Sequence, residues 1–414
     1  MPASVPESPK SKRFQEKRDA ILAAAATLFN EQGLKGVTLN QIATSVGLET
    51  TSLTYYYSKK EDLAVSCTLR AIAVIDSLAR QAAQMKTVSA RVAHFFVLYA
   101  NLLAAIAEGT QPPLIGFGDI RALTNANAAN AFSAYTNMFR SIRTLLCADD
   151  AAPLSREGRN ARAHVLLSAT LWMGAWISRY ETAEYPRIAQ RVADLVLHGL
   201  AAPTQRWPTA AALAEVTIPD LPAVADDSPE AFLRAATELI NEQGFHGASV
   251  DKISARINLT KGAFYHHNET KLDLITACWE RSFSVVRHTV GAAQESQASG
   301  WERCCAAVSS LVRFQLSERG PLLRSSALSA LPDRSHREQV LHTLRALNER
   351  IASLLVDGMA DSSIRPHDSA IAAELLSATI NAASELQRWV PGINRENADQ
   401  LYVRPGLLGL LCEA

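Results

Sequence analysis

The sequence is poor in glycine and aromatics and lacks the patterns that strands, membrane spans and metal sites require. Its 414 residues include only 19 glycines and 7% aromatics. No window alternates Val, Ile and Thr with polar residues in the period of two that strands need. A β-framework is therefore excluded, and the abundant alanine and leucine point to an all-α chain. The six cysteines form no CxxC pair, and Cys304 and Cys305 are adjacent, a poor arrangement for a shared bridge. They read as small buried apolar side chains in a reducing compartment. The N-terminus "MPASVPESPKSKRF" has no apolar core for a signal peptide. The longest apolar stretch, "AHFFVLYANLLAAIA", carries His94 and Asn101 and is too short for a span. A cytoplasmic protein without membrane contact is expected. There is no HExxH, no Gly-rich phosphate loop, no DDxxD and no nucleophile elbow, and Asp149–Asp150 and Asp226–Asp227 stand isolated. His266 and His267 are adjacent, so they point to different faces and make a poor metal pair. Neither an enzyme nor a bound metal or cofactor is expected. The 41 basic and 41 acidic residues cancel, so any nucleic-acid contact has to be local.

What is present is a repeat. "NEQG" occurs at Asn30–Gly33 and again at Asn241–Gly244. Around it, "ILAAAATLFNEQGLKGVTLNQIATSVGL" and "FLRAATELINEQGFHGASVDKISARINL" align without a gap. Ile21 pairs with Phe232, Leu28 with Leu239, and Ile42 with Ile253. A second echo, "LLSAT" at Leu166 and at Leu375, lies near the end of each half. Two units are thus written one after the other. The expected layout is an arm over 1–12, disordered by its Ser, Pro and Lys content. A first three-helix module follows over 13–63, then a first helical domain over 64–202. A Pro-rich linker over 203–227 leads to a second module over 228–274 and a second helical domain over 275–414.

Within each module the apolar residues Ile21, Ala24, Ala25, Leu28 and Phe29 form one helical stripe, ended by Gly33. "TLNQ" at Thr38–Gln41 has the pattern of a capping box, and Ser249 is the matching cap. The next helix stops at Gly47 in the first copy and at Asn258 in the second, residues that tolerate a left-handed turn. A third helix follows within two or three residues. With Ala43 or Ser254 small enough for close crossing, this is a helix-turn-helix pattern.

"GLETTSLTYYYSKKEDL" (Gly47–Leu63) and "NLTKGAFYHHNETKLDL" (Asn258–Leu274) resemble the DNA-binding module of the TetR/AcrR regulators. The second copy matches at Thr260, Lys261, Gly262, Ala263, Phe264, Tyr265, His266 and His267, and departs at Asn268 and Leu272. The first keeps Leu53, Tyr55, Tyr56, Tyr57, Lys60, Glu61, Asp62 and Leu63, and departs at Thr51 and Thr54. The resemblance covers both modules well and the remainder in length and layout only. It implies two tandem units, each a helix-turn-helix module with a helical regulatory domain.

A helix in the major groove needs short polar side chains for base edges and donors for phosphates. In the first copy Thr50, Thr51, Ser52 and Thr54 fit that need, with Tyr55 and Tyr56 reaching the backbone. In the second, Thr260, Lys261, Tyr265 and His266 do, with Gly262 and Ala263 allowing close approach. Thr38 and Ser249 are expected phosphate donors as well as caps, and Lys60 and Lys271 stand where similar proteins hold a phosphate. Lys10, Lys12, Arg13, Lys17 and Arg18 form a basic arm. The resemblance further implies a pseudo-dimer made by one chain, monomeric in solution. Its unlike halves would read an imperfect or asymmetric palindrome in double-stranded DNA. A small apolar effector is expected in the helical domains, against Phe96, Tyr99, Phe117, Phe132, Tyr135, Trp172 and Trp176, releasing a repressor from DNA. The modules are not basic: residues 1–63 hold eight basic and seven acidic side chains, and 228–274 hold five and six. The alternative is therefore a ligand sensor or protein-interaction scaffold with one or both modules inactive.

Overall fold

The computed structural model describes residues 9–117, 128–151, 153–214, 229–245, 247–256, 270–331 and 334–413. The first half holds α1 (Pro9–Gly36), α2 (Leu39–Ser45), α3 (Thr50–Thr54) and α4 (Lys60–Ala82). These are followed by α5 (Val88–Ala107), α6 (Ala128–Thr144), α7 (Arg156–Trp176) and α8 (Tyr185–His198). A short α9 (Ala210–Ala214) precedes the second half, which opens with α10 (Pro229–Gln243) and α11 (Val250–Arg256). Then come α12 (Lys271–Glu295), α13 (Gly300–Gln315), α14 (Arg334–Ala360), α15 (Ser369–Ala382), α16 (Leu386–Trp389) and α17 (Arg404–Leu408). Among the described residues the only β-type pairing is an isolated bridge between Ala201 and Ile364. The architecture is all-α, two tandem units of the same plan.

The helical stripes read from the sequence become the module cores. In the first, Ile21, Ala25 and Phe29 of α1 meet Ile42, Leu53 and Leu63. In the second, Phe232, Ala236 and Ile240 meet Ile253, Leu274 and Trp279. Gly33 breaks α1 with φ 71°, and Gly47 at φ 64° turns the chain from α2 into α3. Asn258 lies outside the described residues. The repeated asparagine has a job that its tetrapeptide did not reveal. Asn30 Nδ2 donates to Leu114 O at 2.9 Å and its Oδ1 accepts from Gly116 N at 2.9 Å. Asn241 does the same with Leu322 O (2.9 Å) and Arg324 N (3.0 Å). Each module is thereby tied to a loop of its own half, the one after α5 in the first and the one after α13 in the second.

The halves join along α7, α8, α15 and the C-terminal segment, where the second echo was read. Leu200 N donates to Leu407 O and Leu410 N to Val196 O, at 2.8 and 2.9 Å. Gly199 (φ 68°) and Gly409 (φ 94°) lie back to back there. A Cβ on Gly199 would stand 2.2 Å from Leu408 C, so only glycine fits. Arg191 pairs with Asp368 and Arg365 with Asp194, both at 2.7 Å. Buried Arg162 reaches Leu410 O and Cys412 O at 3.1 and 2.9 Å.

Three expectations change. The arm is helical from Pro9, because α1 extends back over the module; residues 1–8 are not described. The first part of the linker is docked rather than free. Trp207 packs edge-on to Trp301, whose Nε1 donates to Arg206 O at 2.9 Å, and Leu213 of α9 is buried. The apolar stretch judged too short is part of α5, a 20-residue helix long and apolar enough to cross a membrane by composition. In this fold Val92, Phe95, Phe96 and Ala100 bury one of its faces in the core.

Candidate nucleic-acid interface

The first module presents its third helix as a short platform. α2 starts with Thr38, whose Oγ1 accepts from Gln41 N at 3.2 Å and donates to Gln41 Oε1 at 2.9 Å, the capping box anticipated. After Gly47, Leu48 N returns to Ala43 O at 2.9 Å, fixing the turn. On α3, Leu53 is fully buried and anchors the helix, which leaves Thr51, Ser52 and Thr54 exposed. Thr54 Oγ1 folds back to Thr51 O at 2.8 Å, and Thr50 Oγ1 donates to Asn40 Oδ1 at 3.0 Å. No hydrogen bond among the described residues holds the hydroxyl of Thr51 or Ser52, so these two are free for an external acceptor or donor.

The three consecutive tyrosines have three environments. Tyr55 is 77% exposed. Tyr56 is half-covered by Phe14 of the α1 extension, with the rings stacked at 4.9 Å. Tyr57 is buried, and its hydroxyl accepts from Arg18 Nε at 3.0 Å. The basic arm thus spends Arg18 on the module itself.

The two lysines expected to hold phosphate are differently engaged. Lys60 Nζ donates to Val37 O at 2.8 Å, and Lys271 Nζ donates to Phe245 O. Each ammonium closes the turn between the first two helices of its module, and burial lowers its proton affinity below that of a free lysine. Ser249 Oγ accepts from Lys252 N at 3.3 Å, as a cap should. Thr260, Lys261, Gly262, Ala263, Tyr265 and His266 lie outside the described residues. Lys35 and Lys252, which the charge count averaged away, stand at the junction of the modules. No local pattern in the sequence announces that junction.

The residues expected around an effector divide into two sets. Trp172 and Trp176 of α7 line a cavity of about 190 Å³. Its other walls belong to the second half, with Trp279 and Phe283 of α12 and Leu344 and Asn348 of α14. Glu374, 5% exposed, closes one side; it accepts from Trp172 Nε1 at 2.9 Å and pairs with Arg179 at 2.5 Å. Phe96 and Tyr99 are buried in α5 away from that cavity. Tyr135 packs edge-on to Phe117 at 5.3 Å. Phe132 and Tyr135, with Phe139, close on the Trp389 ring of the second half at 6.4, 5.2 and 4.8 Å. A metal-holding cluster of three His, Cys, Asp or Glu is absent among the described residues.

With this geometry in place, the family model for bacterial regulatory proteins of the tetR family matches residues 21–67 and again 232–278. Each half of the chain thus carries a tetR-family module. The first matched segment runs from the α1 stripe through α2 and α3 to the start of α4, and the second from the α10 stripe through α11 to the start of α12. This chain is 35% identical over 57 residues to the TetC protein of transposon Tn10 from Escherichia coli, covering 14% of this chain and 29% of TetC. It is 44% identical over 46 residues to IcaR, the negative transcriptional regulator of a biofilm operon in Staphylococcus epidermidis, covering 11% of this chain and 25% of IcaR. The chain therefore spans between a quarter and a third of the curated relatives it matches. The crystal structure of the TetR-family regulator PfmR from Thermus thermophilus is 18% identical. It covers 49% of this chain and all of that one, with a TM-score of 0.36.

Proposed function

We propose that the chain is a sequence-specific DNA-binding transcriptional regulator whose two unlike modules read an imperfect palindrome. One observation carries this reading: Thr51 and Ser52 stand exposed and unpaired on a helix that Leu53 pins to the module core. Short hydroxyl side chains so placed suit base edges in a major groove. We propose repression as its mode, and a compact, largely apolar molecule in the cavity between α7, α12 and α14 as the effector. Trp279 on that wall has a buried indole N–H without an acceptor, which favours a ligand carrying one. The cavity also has a connection to a module. Leu322 and Leu323 line it, and Asn241 of α10 holds Leu322 O and Arg324 N. A ligand that displaced this loop would shift the second module against the first, a change in population between two arrangements.

A second reading, a sensor with inactive modules, is favoured by Lys60 and Lys271 facing carbonyls instead of solvent. A mobility-shift assay on the DNA upstream of the chain's own gene separates the two. The regulator reading expects specific retention at moderate salt. Thr51→Ala is expected to change base preference in one half-site, worth about 1–3 kcal/mol. Binding no tighter than to random DNA defeats the regulator reading and leaves the sensor.

A further inference from the structure

The two modules meet on one turn, and four ammonium groups gather there. Lys271 Nζ donates to Phe245 O and sits 4.2 Å from the centre of the Phe245 ring. Lys252 Nζ donates to Gly247 O at 3.1 Å and to Gln243 Oε1 at 2.6 Å. From the first module, the Lys35 ammonium lies on Gly247, where an added Cβ would stand 2.6 Å from its Nζ. Lys60 Nζ, held by Val37 O, is within 3.5 Å of Lys35 O. Two lysines come from each module. Neutral acceptors, carbonyls and one side-chain amide, hold three of them, and no carboxylate among the described residues forms an ion pair with any of the four.

Four like charges around one turn are unfavourable unless an anion compensates them. Two unit charges 4 Å apart repel by about 1 kcal/mol even at the dielectric of water, and more when half-buried. Lys60 and Lys271 both feel Lys35 in this way. The other charged neighbour of Lys60 is Glu61, adjacent in sequence and on the same helix. The partner that fits is a polyanion running across the junction, because the lysines come from both sides of it.

We propose that this junction binds the phosphodiester backbone of duplex DNA in the spacer between the two half-sites, through its two exposed ammonium groups, Lys35 and Lys252. The inference rests on the DNA-binding reading above and adds to it a contact that the recognition helices do not make. It also answers the neutral charge count, since the junction concentrates basic groups that neither module shows alone.

The test uses the full-length chain and its operator, located by footprinting, in two forms. One duplex has native phosphates; the other carries uncharged methylphosphonates in the spacer. The variant combines Lys35→Gln with Lys252→Gln and leaves Lys60 and Lys271 to hold their helix ends. Glutamine keeps a donor for Gly247 O, so folding is preserved. The wild type is expected to bind the neutral-spacer duplex roughly tenfold more weakly than the native one at low salt, whereas the variant treats the two alike. Removing two phosphate contacts should also flatten the salt slope by about 1.8, roughly a twelvefold smaller loss between 50 and 200 mM salt. Equal discrimination by both proteins, or an unchanged slope, overturns the junction while leaving the regulator reading intact. Failure of the wild type to bind any duplex above background overturns both.

Discussion

The duplicated asparagine allows one chemical change to be made in two environments of a single chain. Asn30 and Asn241 make the same pair of hydrogen bonds, at 2.9–3.0 Å, to the loop behind their module. Their surroundings differ. Asn241 is 7% exposed, whereas Asn30 is exposed to solvent. In Asn241→Ala, Leu322 O is buried with no partner and Arg324 N is partly so. An orphaned buried group costs about 1–3 kcal/mol, which gives about 2–4 kcal/mol for the site. In Asn30→Ala, water reaches both Leu114 O and Gly116 N, and the net loss is about 1 kcal/mol. The difference of about 2 kcal/mol corresponds to roughly 30-fold in a local opening constant. Hydrogen exchange read by mass spectrometry on peptides spanning 318–331 and 112–117 measures both loops in the native chain. Protection should fall roughly 30-fold further around Leu322 in Asn241→Ala than around Leu114 in Asn30→Ala. Equal effects, or a larger one at Asn30, would refute the burial argument.

Burial lowers the pKa of His164 from its ordinary 6.5 to about 3. The unfolded chain takes up a proton below pH 6.5 that the folded one refuses, so stability falls as pH drops from 6.5 towards 3. The loss is about 1.4 kcal/mol per unit, or nearly 3 kcal/mol at pH 4.5. Urea titrations of the wild type and His164→Phe should diverge in that window and run parallel above it. Gly199→Ala places a methyl 2.2 Å from Leu408 C at a positive φ. It should destabilise the joint between the halves by more than about 3 kcal/mol, seen as a lowered melting temperature, whereas Gly109→Ala, with open space around it, should cost only its backbone strain of about 1–2 kcal/mol. Iodoacetamide at pH 8 should alkylate exposed Cys147 first. Cys67 and Cys304, whose thiols burial raises to about 12, and Cys278, raised to about 11, should react only after unfolding. Early labelling of Cys278 would count against the second module core.

What could be read from the sequence was local. The α1 stripe, the capping box at Thr38 and the positive φ at Gly47 follow from spacings of a few residues, and Cys67 and Cys278 are offset by the same 211 positions as the two NEQG tetrapeptides. In the structure those cysteines make the same contact, to Leu22 O and Leu233 O. What escaped depends on distant partners. Lys60 looked free because Val37 is 23 positions away, and Lys35 looked ordinary because Gly247 belongs to the other half. The aromatic set was assigned to one effector site, but Trp389, some 250 residues beyond Phe139, closes on part of it, while Trp172 and Trp176 line the cavity shared with α12 and α14. The start of α1 was missed because the Ser, Pro and Lys content of residues 1–12 suggested disorder, whereas α1 begins at Pro9 and its Phe14 packs on Tyr55 and Tyr56.

The joint sealed by Gly199, Gly409 and the main-chain bonds around Leu200 is formed within one polypeptide. Contacts of that kind do not loosen on dilution, as those between separate subunits do. On the proposed regulator reading, with one chain per double site, occupancy should then rise with the first power of protein concentration, without the threshold that prior pairing of two chains imposes. A substitution also alters one module and not its twin, so on the same reading the two ends of a recognised sequence can drift apart independently.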